Sequence, residues 1–227
     1  MDSFSHPLVF EPGTSWRYGP GLDWAGLVVV RLTKMGLESY MQQNIFSPLG
    51  IHNLTFWPDK HPEMASRRAS SSLRDPESGK ALPFSVEASA ELRDEFGGKG
   101  LHGTAPSYLK ILHSILRDDE RLLTKESTAM MFQPQLTEAS QRVLQEDFDI
   151  IGTPKCIGYY IGLYPKARYD WGLGGVLSVE DSSADGHDWR RRGCLSWSGA
   201  LNLFWVSRTL SFPSFVSHKA TPEEYMN

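Results

Sequence analysis

Apolar residues recur at helical spacing over the first two thirds of the chain, and the last third turns to short strand-like runs. That change of period narrows the architecture more than any other feature. From Asp23 to Ile45, the residues Trp24, Leu27, Val28, Leu32, Leu37, Tyr40, Met41 and Ile45 fall at near-helical intervals. The pattern breaks at Met35-Gly36, which predicts two helices, the second stopped by the proline and glycine of Phe46-Ser47-Pro48-Leu49-Gly50. Thr104-Ala105-Pro106 reads as a helix start, with Thr104 as N-cap and Pro106 in the first turn, continuing through Leu116. The Thr124 hydroxyl is placed to cap a further helix over Ser127 to Phe132. Strands are expected at Gly158 to Tyr164, Trp171 to Val179, Cys194 to Trp197 and Leu201 to Val206, the last two joined at Ser198-Gly199-Ala200. Helices first and strands last indicate an α+β fold, helical over about 14–150 and sheet over about 156–208. The Pro-, Ser-, Arg- and Asp-rich stretch from Asn53 to Glu95 predicts a long irregular excursion over the surface.

At 227 residues the chain can bury a real core in one or two domains. Its net charge of -4 argues against a general nucleic-acid binder. The one dense basic run, Arg190-Arg191-Arg192, lies close to Asp185 and Asp188 and reads as a solvated loop. Cys156 and Cys194 have no metal-ligand spacing; one disulfide stays open, and two free buried thiols are the favoured expectation. No apolar run approaches membrane-spanning length and Met1 to Pro7 lacks a signal-peptide pattern, so a cytoplasmic protein with no membrane partner is expected. No metal or cofactor is called for. His52, His61, His113 and His187 read as surface residues, whereas His102, in the glycine loop Phe96 to Leu101 and its continuation, is a candidate pocket residue. Gly172-Leu173-Gly174-Gly175 has strand neighbours and no following helix, so it reads as a strand against close backbone instead of a dinucleotide fingerprint.

Three segments carry chemistry. Trp16-Arg17-Tyr18-Gly19-Pro20-Gly21-Leu22-Asp23-Trp24-Ala25-Gly26 places a phenol at a loop-to-helix junction, where it can exchange a proton with a bound nucleophile. Gly98-x-Gly100-Leu101-x-Gly103-Thr104-Ala105-Pro106-x-Tyr108-Leu109 follows, and then Trp197-Ser198-Gly199-Ala200 on a strand. In this order, over residues 8 to about 207, the chain resembles the serine β-lactamase and penicillin-binding superfamily. The likeness is to its class C-like esterase and transesterase branch, which includes fungal polyketide acyltransferases of the lovastatin type. The resemblance implies a helical subdomain beside an antiparallel sheet, and a catalytic role for Tyr18. It also implies an oxyanion donor in the backbone N–H of Ala200, with Gly199 letting substrate lie flat along the strand. Trp16, Trp197 and His102 would contact substrate, and Trp16, Trp24, Trp171 and Trp197 would form a wide aromatic mouth for a bulky hydrophobic molecule. Trp197 stands where true β-lactamases have lysine, and Pro20 takes the third place of the tyrosine motif; both favour neutral esters or thioesters over β-lactams.

By the same resemblance, the attacking serine belongs to a Ser-x-x-Lys motif roughly a hundred residues before the tyrosine. Only seventeen residues precede Tyr18 here. The one Ser-x-x-Lys present, Ser107-Tyr108-Leu109-Lys110, comes after Tyr18 and reads as a surface Ser and Lys on an amphipathic helix. The expectation is a partial domain over 1–208 with its nucleophile segment missing and a divergent tail over 209–227, as a mis-assigned gene model or a truncated allele would leave. Three functions stay open. One is serine acyl transfer from an ester or thioester, including an acyl-carrier or polyketide synthase donor, to water or a natural-product alcohol. The second is a binding relic without catalysis, and the third makes Ser107 and Lys110 the nucleophile pair.

Overall fold

A computed structural model describes residues 7–75, 77–84, 94–150, 167–184, 187–199 and 203–208. Helix α1 (Gly21–Thr33) carries Asp23 in its first turn, where a carboxylate complements the helix dipole. It ends on Lys34 in the left-handed region, whose N–H reaches the Val30 carbonyl. The expected break follows, and α2 (Leu37–Met41) runs into a π turn over Gln42–Phe46 and a 3-10 turn over Ser47–Leu49 that Gly50 closes at φ +61°. Phe46, Leu49, Ile51 and Leu54 form a core here, packed by Leu101 and Ile111. Burial of each such side chain contributes about 1.5–3 kcal/mol.

The stretch from Asn53 to Glu95 holds more order than its composition predicts. A 3-10 turn over Pro58–Lys60 and α3 (Pro62–Ala65) precede a hairpin of β1 (Ser71–Arg74) and β2 (Ala81–Phe84), with Ser71 opposite Phe84. The Asp75 carboxylate accepts hydrogen bonds from the Glu77 and Ser78 amides and the Ser78 hydroxyl, fixing the turn. Leu73, Leu82 and Phe84 are exposed, so no buried face imposed an alternating pattern on the sequence.

Helix α4 (Ala105–Arg117) starts where expected, with Thr104 at the N-cap position; its hydroxyl donates to Ser107 Oγ and makes no side-chain cap to a helix amide. Thr124 caps α5 (Lys125–Met131) as anticipated, accepting from the Ser127 amide. Helix α6 (Glu138–Asp149) is capped in the same way by Thr137, and it buries Ser140, Leu144 and Phe148 at i, i+4 and i+8. That spacing is the helical period of one buried face.

The sheet is antiparallel in the order β3-β4-β7-β8: β3 (Tyr169–Gly172), β4 (Gly175–Ser178), β7 (Cys194–Gly199) and β8 (Leu203–Arg208). The expected single strand from Trp171 to Val179 is therefore a hairpin tip and its return, turning at Leu173-Gly174 with Gly174 at φ +115°. The close-backbone reading of these glycines holds: a Cβ on Gly172 would stand 2.3 Å from the Met131 carbonyl oxygen. Strand β7 extends to Gly199, opposite Leu203, so Ser198 and Gly199 belong to the strand and not to the join expected there. Between β4 and β7 lies a second hairpin, β5 (Ser182–Ala184) and β6 (His187–Arg190).

Arg190 corrects the solvated-loop reading of the arginine run. It is buried and donates to the Ser196 hydroxyl; burial lowers its pKa while Tyr169 and Cys194 act to raise it. Arg191 does face water, paired with Asp181 at 3.4 Å. Adjacent β4 residues point to opposite faces, and both faces are covered. Val176 packs with Leu144, Phe148 and Tyr169, and Leu177 with Phe132 and Leu195. Cys194 is a buried free thiol. Cys156, the expected strand from Gly158 to Tyr164 and the tail 209–227 lie outside the described residues. Among the described residues no helix is long and apolar enough to cross a membrane.

Candidate active site

Tyr18 belongs to a continuous row of aromatic rings. Its ring is tilted 32° against Trp197 with centroids 5.4 Å apart. Trp197 meets Trp171 edge-on at 5.0 Å, Trp171 meets Trp16 at 5.6 Å, and Trp16 meets Phe148 of α6 at 6.1 Å. Each such pair adds about 0.5–1.5 kcal/mol beyond the area it buries. Tyr18 remains half-exposed, while Phe148 is fully buried and meets the buried Tyr169 edge-on at 5.4 Å.

Polar contacts fix both flanks of the row. Upstream, the cap of α6 holds the chain leading to Trp16: Thr137 donates to the Gly13 carbonyl at 2.8 Å and Ser140 to that of Ser15 at 2.9 Å. Asp170, buried in β3, accepts from the amides of Gln135, Leu136 and Trp171, which orients the Trp171 strand. Downstream, buried Asp23 accepts from the Gly98 amide at 2.9 Å and ties the glycine loop to the start of α1. A Cβ on Gly97 would sit 2.2 Å from the Leu22 carbonyl oxygen, so only glycine allows this approach. Gly26 meets the same loop, its notional Cβ 3.2 Å from the Gly97 nitrogen. The residues Asp23 and Gly26 of the tyrosine motif thus serve the seating of the glycine loop.

The glycine loop continues into a second brace. Glu95 accepts from the Glu38 amide at 2.8 Å and Trp57 Nε1 at 3.0 Å. Glu38 in turn accepts from the Thr55 hydroxyl and the Phe56 amide. Thr55 and His102 exchange both backbone hydrogen bonds, at 3.0 and 2.8 Å. The His102 imidazole is held below the usual histidine pKa, first by burial and then by the Arg68 charge, with Asp59 opposing.

Of the residues singled out from the sequence, Tyr18, Trp16 and Trp197 are therefore brought together, with Trp171 between the two tryptophans. His102 has a different set of neighbours, Thr55 and the Asp59 and Arg68 charges. Gly199 is exposed at the end of β7, Trp24 is exposed on α1, and Ala200 lies outside the described residues. Sequence reading missed Asp23 and Asp170 as braces, although the Asp23 carboxylate was visible within the tyrosine motif. Ser107 corrects the surface reading of its motif: it is buried, donates to Asn53 Oδ1 and accepts from Thr104. Lys110 donates to the Gly50 carbonyl at 2.8 Å. Serine and lysine are each engaged elsewhere, and the groove beside α4 lined by Leu49, Pro106, Leu109, Lys110 and His113 includes none of the aromatic row. Among the described residues no cluster of three or more His, Cys, Asp or Glu side chains is arranged to hold a metal.

A helical part beside an antiparallel sheet, with the tyrosine segment against the Trp-x-Gly strand, is the arrangement of the serine β-lactamase class. The Beta-lactamase family profile matches residues 3–200, and the chain belongs to that family. It is 40% identical over 200 residues to the monacolin J acid methylbutanoyltransferase of Aspergillus terreus, covering 88% of this chain and 47% of the relative. It is 38% identical to the lovastatin esterase of Penicillium rubens, covering 90% of this chain and 50% of the relative. Unliganded simvastatin synthase from Aspergillus terreus superposes with a TM-score of 0.82 at 38% identity, covering 90% of this chain and 50% of that one. The chain spans about half the length of the curated relatives it matches.

Proposed function

We propose that the chain carries the tyrosine and oxyanion side of a serine acyl-transfer site. The observation that carries this reading is the stacking of Tyr18 on Trp197, which brings the tyrosine motif and the Trp-x-Gly strand to one place. In the complete enzyme the serine Oγ of a Ser-x-x-Lys segment attacks the acyl carbonyl, and its proton passes to Tyr18 and the lysine. The tetrahedral oxyanion is held by the Ala200 N–H, a donor of a kind that contributes roughly 3 kcal/mol. Collapse of the intermediate expels the alcohol or thiol, which takes the proton and leaves an acyl-serine. Water or a natural-product alcohol then attacks, with Tyr18 as base, and the serine regains its proton.

An uncharged aromatic row beside Tyr18 suits a hydrophobic acyl donor or acceptor more than an anionic β-lactam, because Trp197 brings no cation. The named relatives, a methylbutanoyltransferase and an esterase, support both outcomes of the same acyl-serine. A thioester on an acyl carrier and a polyketide alcohol are the proposed donor and acceptor classes. A non-catalytic binding role is favoured by one specific observation, that Ser107 and Lys110 are engaged apart from each other.

A chimera distinguishes the two readings. Residues 7–208 are joined to the half of the Aspergillus terreus transferase that this chain does not match, and p-nitrophenyl butyrate hydrolysis is followed beside that of the chain alone. Turnover by the chimera and none by the chain is the expected result. A folded chimera without turnover would leave the binding role as the better account.

A further inference from the structure

Two arginines run into a serine at Arg67-Arg68-Ala69-Ser70, the one place in the sequence where consecutive arginines stand three and two residues before a hydroxyl side chain. All four residues are exposed. The arginine amides close the turn after α3, donating to the Met64 and Ala65 carbonyls at 3.1 and 3.2 Å. Residues 68–70 then run without helix or strand to the start of β1. Ser71 and Ser72, by contrast, are held in the β1–β2 ladder opposite Phe84 and Pro83. Among the described residues the Ser70 hydroxyl has no hydrogen-bond partner. The guanidinium groups are lightly held as well. Arg68 Nη2 meets Asp59 at 3.3 Å, but both side chains face water, where such a pair contributes little. Arg67 pairs with no carboxylate among the described residues. With four residues, α3 is a single turn that opens at little cost, so the segment before Ser70 can extend.

A hydroxyl in an exposed, irregular link, preceded at fixed spacing by two positive charges, is the pattern an acid-lined peptide groove reads. We propose that Ser70 is a phosphorylation site for a protein kinase whose substrate groove recognises arginines two and three residues before the acceptor. In that step Ser70 Oγ attacks the γ-phosphorus of MgATP and the bond to the β–γ bridging oxygen breaks. ADP leaves, and the hydroxyl proton passes to the kinase's catalytic aspartate. The phosphate, carrying a charge of about −1.5 to −2 at pH 7, then stands two residues from Arg68 and competes with Asp59 for it. Spacing, exposure and charge are the grounds, and the acyl-transfer reading is not needed for them.

The test incubates the full, folded chain with MgATP and the catalytic subunit of cyclic-AMP-dependent protein kinase as the arginine-directed probe. A casein kinase that selects acidic sequences serves as the control. Phosphate on Ser70, located by fragment masses that separate it from Ser71 and Ser72, is the expected result with the first enzyme and not with the second. Ser70→Ala should abolish that labelling, and Arg67→Ala and Arg68→Ala should each slow it roughly tenfold or more. All three side chains face water, so unchanged melting temperatures are expected. A synthetic peptide of residues 62–74 with the same substitutions repeats the charge test where folding plays no part. No phosphate on the folded chain, even if the peptide accepts it, would overturn the proposal. So would phosphate on Ser71 or Ser72 in place of Ser70, rates indifferent to both arginines, or equal labelling of Ser70 by the control enzyme.

Discussion

Trp16 precedes Tyr18 and Leu32 follows it along the chain, and the fold treats them in opposite ways. Trp16 packs between Phe148 and Trp171, and the chain leading to it is pinned by the hydroxyls that cap α6. Leu32, near the end of α1, is exposed, as are Leu22 and Val28. The upstream side is finished within the chain, whereas the downstream side is finished only in its polar part, where Asp23 and the glycines hold the loop. The difference teaches that apolar residues at helical spacing mark a helix without settling which of its faces is buried.

The sharpest way to break this comparison is to remove a ring from the finished side. Phe148→Ala should destabilise the chain by about 3–5 kcal/mol in urea unfolding, because the ring is fully buried and its loss leaves a cavity beneath Trp16. A loss below about 1 kcal/mol would show that the row is not packed as described. Asp23→Ala, which removes the acceptor for Gly98, should cost about 1.5 kcal/mol, and Asp23→Asn less because one oxygen stays in place. Faster proteolysis at the glycine loop in the alanine variant should accompany that loss. On the unfinished side, Leu32→Ala should change stability by no more than about 0.5 kcal/mol, since the side chain already faces water.

The smallest effect concerns pH. The folded chain holds the His102 proton less tightly than an ordinary histidine at 6.5, so the unfolded chain binds more protons there. Stability should therefore fall as pH drops through and below about 6.5, and His102→Gln should flatten that slope. An unchanged slope in the variant would assign it to other groups.

The chain's sequence made much of this legible, for reasons that can be named. The break at Met35-Gly36, the Thr124 cap and the last two strands, β7 and β8, are local events set by glycine, a hydroxyl and apolar runs. Tyr18, Trp16 and Trp197 were legible as a set because the motif order is a linear signal. The exposed β1–β2 hairpin was not, since nothing buried forces its residues to alternate. The Trp171-to-Val179 run concealed a turn because Gly172-Leu173-Gly174-Gly175 reads equally as strand until the left-handed Gly174 is seen. Arg190 and Ser107 were misplaced on the surface because burial of a polar group depends on distant partners, Ser196 and Asn53, which spacing along the chain does not reveal.

The most direct test of the central claim is Tyr18→Phe in the chimera that completes the fold. The substitution removes one oxygen and keeps the ring on Trp197, so stability should hold. The account predicts a fall in kcat of roughly a hundredfold or more for p-nitrophenyl butyrate with KM little changed, the size expected for losing a proton-transfer group. Turnover close to that of the unsubstituted chimera would contradict it and leave Tyr18 as one ring of an aromatic row.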